Sequence, residues 1–211
     1  MEGVPLDSYA EGLIERCRRG NVEAFEELIA PYMQKVYNLA LRLSRNPEDA
    51  SDLAQEAFLR AFVSLRDFRG DCAFSTWLYR ITFNVCRDEA RRRRRHPAVS
   101  LDEPVTSVDG EVTPRQFVSS SGDPVEEVET RELRDAIWEG IRSLNPEFRA
   151  VLVLRDIEGL AYEEIARVLD ISLGTVKSRL NRARNALKAR FASQELFSGE
   201  NVSRDRGRPG R

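Results

Sequence analysis

Residues 162–180 read YEEIARVLDISLGTVKSRL. Ile165, Ala166, Leu169, Ile171, Val176 and Leu180 fall at helical spacing on either side of a short break at Asp170-Ile171-Ser172. These positions face one another when two helices cross steeply, so the stretch predicts a helix-turn-helix, with Ala166 small where the helices touch. Asp170 stands where the turn needs a left-handed residue, a place glycine fills best and aspartate tolerates. Ser172 then caps the second helix. The outer face of that helix carries Gly174, Thr175, Lys177, Ser178, Asn181 and Arg182. With Ser172, its hydroxyls, amide and cations suit base edges and phosphates in a major groove.

The charge distribution supports this reading once it is taken segment by segment. Over 211 residues the formal net charge is −2, which alone argues against a nucleic-acid binder. Yet from Ile171 to Phe191 the cations Lys177, Arg179, Arg182, Arg184, Lys188 and Arg190 meet no acid, the footprint of a phosphate-contacting helix. Residues 91–95 are five consecutive arginines. Between His96 and Thr130 the balance reverses: Asp102, Glu103, Asp109, Glu111, Asp123, Glu126, Glu127 and Glu129 face the single Arg115. That stretch also holds Pro97, Pro104, Pro114 and Pro124 and few large apolar groups, the composition of a flexible acidic linker.

The linker divides the chain into a helical unit over residues 10–95, the linker itself over 96–130, a second helical unit over 131–191 and a disordered tail over 192–211. In the first unit Leu13, Ile14, Cys17, Ala24, Phe25, Leu28 and Ile29 recur at helical spacing, broken by Gly20-Asn21. A helix over Met33–Leu43 continues with Val36, Leu39, Ala40 and Leu43 inward. Asn46-Pro47-Glu48-Asp49 reads as a capped helix start, with the acids at the positive dipole end. That helix runs to about Leu65, with Leu53, Ala54, Ala57, Phe58, Ala61, Phe62 and Leu65 on its inner face. Ser75 is expected to cap a last long helix with Leu78, Ile81, Thr82 and Val85 as its buried stripe. No useful strand alternation appears, so the expected fold is all-α, two small helical domains.

On that last helix Arg80, Asn84, Arg87 and Arg91 line one face, and Phe74, Trp77 and Tyr79 stand at its beginning. Cations along a helix with aromatics at its mouth suit a nucleic acid whose bases leave the stack. The competing reading is that Phe74 and Trp77 simply pack into the core.

Other chemistries find no support. Cys17, Cys72 and Cys86 are widely spaced without a Cys-x-x-Cys pair, and His96 is the single histidine, so no disulfide framework or metal site is encoded. No phosphate loop, nucleophile elbow or metalloprotease helix is present, so neither catalytic residues nor a cofactor is expected. The longest apolar run, Ala150–Leu154, is too short to span a bilayer, and Met1–Ala10 lacks a signal-peptide pattern, which makes the cytoplasm the default.

Four stretches carry a recognisable pattern: GNVEAFEEL over 20–28, DASDLAQEAF over 49–58, FSTWLY over 74–79, and YEEIA with GTVKSRL over 162–180. In that order they resemble an extracytoplasmic-function (ECF) sigma factor of bacterial RNA polymerase, and the likeness covers most of residues 10–191. The resemblance implies that residues 10–95 form region 2, docking on the clamp helices of the largest polymerase subunit through Asp52, Gln55, Glu56 and Leu59. It implies that Phe74, Trp77, Arg80, Asn84, Arg87 and Arg91 open and hold the single-stranded −10 element, with the loop from Arg69 to Phe74 cradling a flipped base. Residues 131–191 become region 4, touching the flap of the second-largest subunit and reading the double-stranded −35 element through Ser172, Thr175, Lys177, Ser178, Asn181 and Arg182. The acidic linker is then expected in basic channels of the polymerase. An anti-sigma factor is an implied partner. Asn21 replaces the more usual aspartate, a change expected to affect only a helix cap. The alternative is a helix-turn-helix regulator that acts without polymerase; it explains residues 131–191 and leaves 49–95 unexplained.

Overall fold

The computed structural model describes residues 8–95 and 124–193, and every element among them is helical. Helices α1 (Ser8–Arg18), α2 (Val22–Ile29), α3 (Met33–Ser44), α4 (Pro47–Ser64) and α5 (Phe74–Arg95) form the first unit. Helices α6 (Pro124–Ser143), α7 (Pro146–Leu152), α8 (Tyr162–Leu169) and α9 (Leu173–Ser193) form the second. Residues 96–123 of the expected linker and 194–211 of the expected tail lie outside the described residues.

The local signals act where the sequence places them. Asn21 accepts from the Ala24 N–H at 2.6 Å and starts α2. Asn46 accepts from Glu48 and Asp49 ahead of α4, with Pro47 in its first turn. Asp170 adopts the left-handed conformation (φ 55°, ψ 51°) between α8 and α9, and Ser172 Oγ accepts from the Thr175 N–H at 3.1 Å. Two boundaries differ. Helix α5 begins at Phe74, so Ser75 lies inside its first turn instead of capping it. Helix α6 begins at Pro124, inside the stretch expected to be linker: proline suits a first helical position, and Val125 and Val128 follow at a helical spacing of three residues.

The first core joins α1, α2, α4 and α5 through Leu13, Phe25, Leu28, Leu53, Ala57, Leu65 and Leu78, with Phe25 edge-on to Phe62 at 5.0 Å. Small residues at Ala50, Ala54, Ala57 and Ala61 let α4 approach its neighbours closely. The second core gathers Ile141, Val151, Leu154, Ile165, Val168, Val176 and Leu180. It also contains Leu39 and Tyr79, which belong to the first unit by sequence. Leu39 was expected inside its own unit. It is fully buried against the second one instead, because α3 and α5 present one face to α7 and α8.

Two further features fix the second unit. Arg149, 4% exposed, donates from its guanidinium to the carbonyls of Ile141, Arg142 and Leu144 at 2.8–3.2 Å and so closes the C-terminal end of α6, where the Leu144 N–H and Arg45 add bonds to the first two. Gly140 leaves room for Phe191 where α6 crosses α9: an added Cβ would stand 2.9 Å from the Phe191 ring.

Candidate nucleic-acid and polymerase interface

Helix α9 presents Lys177, Ser178, Asn181 and Arg182 to solvent, one turn apart, while Val176, Leu180 and Ala183 face the core. Part of the expected face is engaged locally. The Ser172 and Thr175 hydroxyls share a hydrogen bond of 2.8 Å, and Asn181 Oδ1 accepts from Asn185 at 3.2 Å. Two other cations of α9 are held from behind by acids that sequence reasoning did not pair with them. Arg179 lies 2.7 Å from Glu147, and Arg184 makes a two-pronged contact with Asp156 at 2.6 and 3.2 Å. This leaves Lys177 and Arg182 as the exposed cations at the front of the helix, where the helix-turn-helix geometry aims a recognition helix.

The face of α5 divides differently. Arg80 and Arg91 are exposed, and Asn84 and Arg87 are half-buried, all on one side of the helix. The Arg87 guanidinium lies over the Phe83 ring at 5.8 Å. Trp77 keeps part of its indole accessible. Phe74 does not: it is 2% exposed and packs against Tyr32, Phe68 and Trp77 with ring centroids 5.5–5.8 Å apart. Its expected role at the DNA face is therefore corrected to a core residue supporting Trp77. An aromatic just inside a helix start reads the same in sequence whether it points out or in.

On α4, Asp52 and Gln55 are exposed, and Glu56 is tied to Arg60 at 2.7 Å, with Arg60 reaching on to Asp88 at 3.3 Å. Leu59 is 63% exposed, and Val63, one turn further, is 76% exposed. Val63 was missed at the sequence level, although its place four residues after Leu59 and off the buried stripe was the available signal. Leu59 and Val63 therefore put two exposed apolar side chains beside the acidic groups of α4.

Cys17 and Cys86 are buried and Cys72 is half-buried. Burial pushes Cys86 up to about 12 and raises Cys17 and Cys72, so none is poised as a thiolate. Among the described residues no cluster of histidine, cysteine and acidic side chains could hold a metal ion, and no helix is long and apolar enough to cross a membrane.

Comparison with known proteins fits this geometry. Residues 28–96 match the model of Sigma-70 region 2, and residues 134–187 match that of Sigma-70 region 4. The RNA polymerase sigma-H factor of Pseudomonas aeruginosa is 39% identical over 176 residues, spanning 83% of this chain and 90% of that protein. The chain belongs to the ECF RNA polymerase sigma factors. SigW of Bacillus subtilis is 37% identical over 175 residues, 83% of this chain and 92% of SigW. The sigma factor RpoE of Bartonella quintana, solved in complex with the anti-sigma factor NepR, superposes with a TM-score of 0.62 at 25% identity, covering 84% of this chain and 98% of RpoE. Each matched region of this sigma factor supplies most of one hydrophobic core, with α1 and the start of α2 adding to the first and Leu39 and Tyr79 crossing into the second, and the stretch between the matches contains the acidic segment.

Proposed function

We propose that this sigma factor is the promoter-specificity subunit of a bacterial RNA polymerase, working in the cytoplasm without chemistry of its own. Residues 10–95 act as region 2 and 131–191 as region 4. Asp52, Gln55, Glu56 and Leu59, extended by Val63, dock on the clamp helices of the largest subunit. Trp77, Arg80, Asn84, Arg87 and Arg91 hold the melted −10 strand, the indole by stacking and the cations by phosphate contact. Ser172, Thr175, Lys177, Ser178, Asn181 and Arg182 face the −35 major groove, while region 4 touches the flap of the second-largest subunit. An anti-sigma factor is the natural antagonist, given the solved relative bound to one.

The observation that carries this reading is the coexistence, on one chain, of a cation-faced recognition helix and a second cationic helix beside an exposed acidic-apolar face on α4. A helix-turn-helix regulator needs the first of these and has no use for the others. Tagged protein mixed with core polymerase tests it: co-elution and run-off transcription from a cognate promoter are expected. Promoter binding without any association with core polymerase points to the regulator instead.

A further inference from the structure

Helix α5 buries no apolar side chain after Cys86, and residues 91–95 at its end are all exposed. The stripe of Arg80, Asn84, Arg87 and Arg91 nevertheless runs on at the same spacing to Arg95. A helix end without apolar anchorage opens at little cost. Ion pairs hold this one. The Arg93 guanidinium donates to Glu89 one turn back at 2.8 Å and forks across to Asp49 in the first turn of α4, Nη1 to Oδ2 at 2.6 Å and Nη2 to Oδ1. Asp49 and Glu89 are mostly covered, with side chains 16% and 17% exposed. A forked contact on a covered carboxylate is stronger and more directional than an ordinary surface pair. Arg92 also donates to Glu89, at 2.8 and 3.1 Å, and with Arg93 it holds that carboxyl below its ordinary pKa. Nearer the middle of the helix, Arg60 of α4 answers Asp88 at 3.3 Å.

The five arginines are therefore not five equivalent cations. Successive helix positions turn by about 100°, so residues 91–95 point all round the axis. Arg93 turns back to α4 and Arg92 shares Glu89. Arg91 and Arg95 are paired with no acid among the described residues and continue the DNA-facing stripe.

We propose that Asp49 is a positioning residue for promoter DNA: by gripping Arg93 together with Glu89 it fixes the last two turns of α5, so that Arg91 and Arg95 meet backbone phosphates while Arg93 serves the fold. The inference rests on the sigma-factor reading and gives the helix that carries the docking face a second task on the DNA side. Its sign separates it from a simple charge effect. An acid near a DNA-binding face repels phosphate, so removing one ordinarily strengthens binding. Removing Asp49 weakens it, because the released helix end loses more phosphate contact than the lost repulsion returns.

The test uses holoenzyme, assembled from the full-length chain with saturating core polymerase, bound to a cognate promoter fragment over a range of salt concentrations. Asp49→Asn is expected to lower promoter affinity several-fold and to flatten the plot of log affinity against log salt by one to two phosphate contacts, about 0.7–0.9 each. Core affinity and helical content stay as in wild type. Arg93→Ala is expected to match it, and the double variant to lose no more than either single. Arg93→Lys, which keeps the charge and loses the fork, falls between and carries the comparison if the other variants lose helicity. Glu48→Gln removes an exposed acid from the same turn of α4 without touching Arg93 and is expected to bind at least as tightly as wild type. Asp49→Asn binding as tightly as wild type, or more tightly, overturns the proposal. So does a double variant whose loss is the product of the two singles, which makes Arg93 a DNA contact, and so does a lowered core affinity, which assigns Asp49 to docking. The sigma-factor reading is judged separately on wild type, and fails if core polymerase binds the promoter no better with the chain than without it.

Discussion

Arg42 and Glu158, 116 residues apart in sequence, meet at 2.6 Å in a space that water barely reaches. Burial lowers the Arg42 pKa and the facing carboxylate offsets this, so the guanidinium keeps its charge at neutral pH. The same burial, with the Glu158 charge close by, raises the Tyr79 phenol well above its ordinary range, so Tyr79 stays a donor throughout the physiological range. The pair ties α3 of the first unit to the segment ahead of α8 in the second by charge, whereas the core of each unit is mainly apolar.

Arg149 is the clearest stability residue of region 4. Burial depresses its pKa to about 10, yet it remains charged near neutral pH and saturates the carboxyl end of α6. Arg149→Ala removes three charge-assisted hydrogen bonds, including the one to the Leu144 carbonyl, and should cost about 3 kcal/mol. Arg149→Lys should recover little, because an ammonium cannot fork to several carbonyls at once. Urea unfolding of both variants, followed by circular dichroism, checks this.

Much of the molecule is legible in the sequence itself. The capped starts at Asn21 and Asn46, the left-handed Asp170 and the helix-turn-helix core are all encoded within a few residues of where they act. Leu39, Phe74 and Glu158 are not legible in the same way. Helical periodicity says that Leu39 is buried but not against which unit, and an aromatic at a helix start carries no direction. Glu158 looks like any acid before a glycine until a π-turn and Arg42 enclose it.

Docking on polymerase should depend on the exposed face of α4. Leu59→Asp, or Asp52 and Gln55 both changed to Arg, should weaken core binding at least tenfold, about 1.4 kcal/mol or more, without loss of helicity. All three side chains are exposed, so the fold has no stake in them. Core affinity measured alongside circular dichroism decides it. Unchanged affinity removes the face from the interface, and lost helicity makes the residues structural.

Specificity at the −35 element should separate two cations of α9. Arg182→Ala is expected to relax discrimination at one or two positions by about 1–3 kcal/mol, the worth of a base contact. Lys188→Ala, nearer the helix end, should lower affinity evenly on all sequences and flatten the salt dependence. Binding of holoenzyme to a series of mutated promoters reads both. Equal losses on every sequence for Arg182→Ala make it a phosphate contact.

Alkaline pH should expose the buried thiol of Cys86. Its folded pKa of about 12 lies above the ordinary 9.0, so its contribution is fully present below pH 9 and is lost as pH rises from 9 towards 12. The difference in unfolding free energy between wild type and Cys86→Ala should be flat below that window. Within it the difference should shrink by up to about 1.4 kcal/mol per pH unit. At pH 8, alkylation should reach half-exposed Cys72 well before Cys17 or Cys86.

The most direct test of promoter recognition through polymerase is a footprint on a cognate promoter, made with the chain alone, with core polymerase alone and with the two together. Protection of both the −35 and −10 elements, with an opened −10 region, is expected only when both are present. Protection of the same promoter by the chain alone, unchanged by core polymerase and without strand opening, would contradict it.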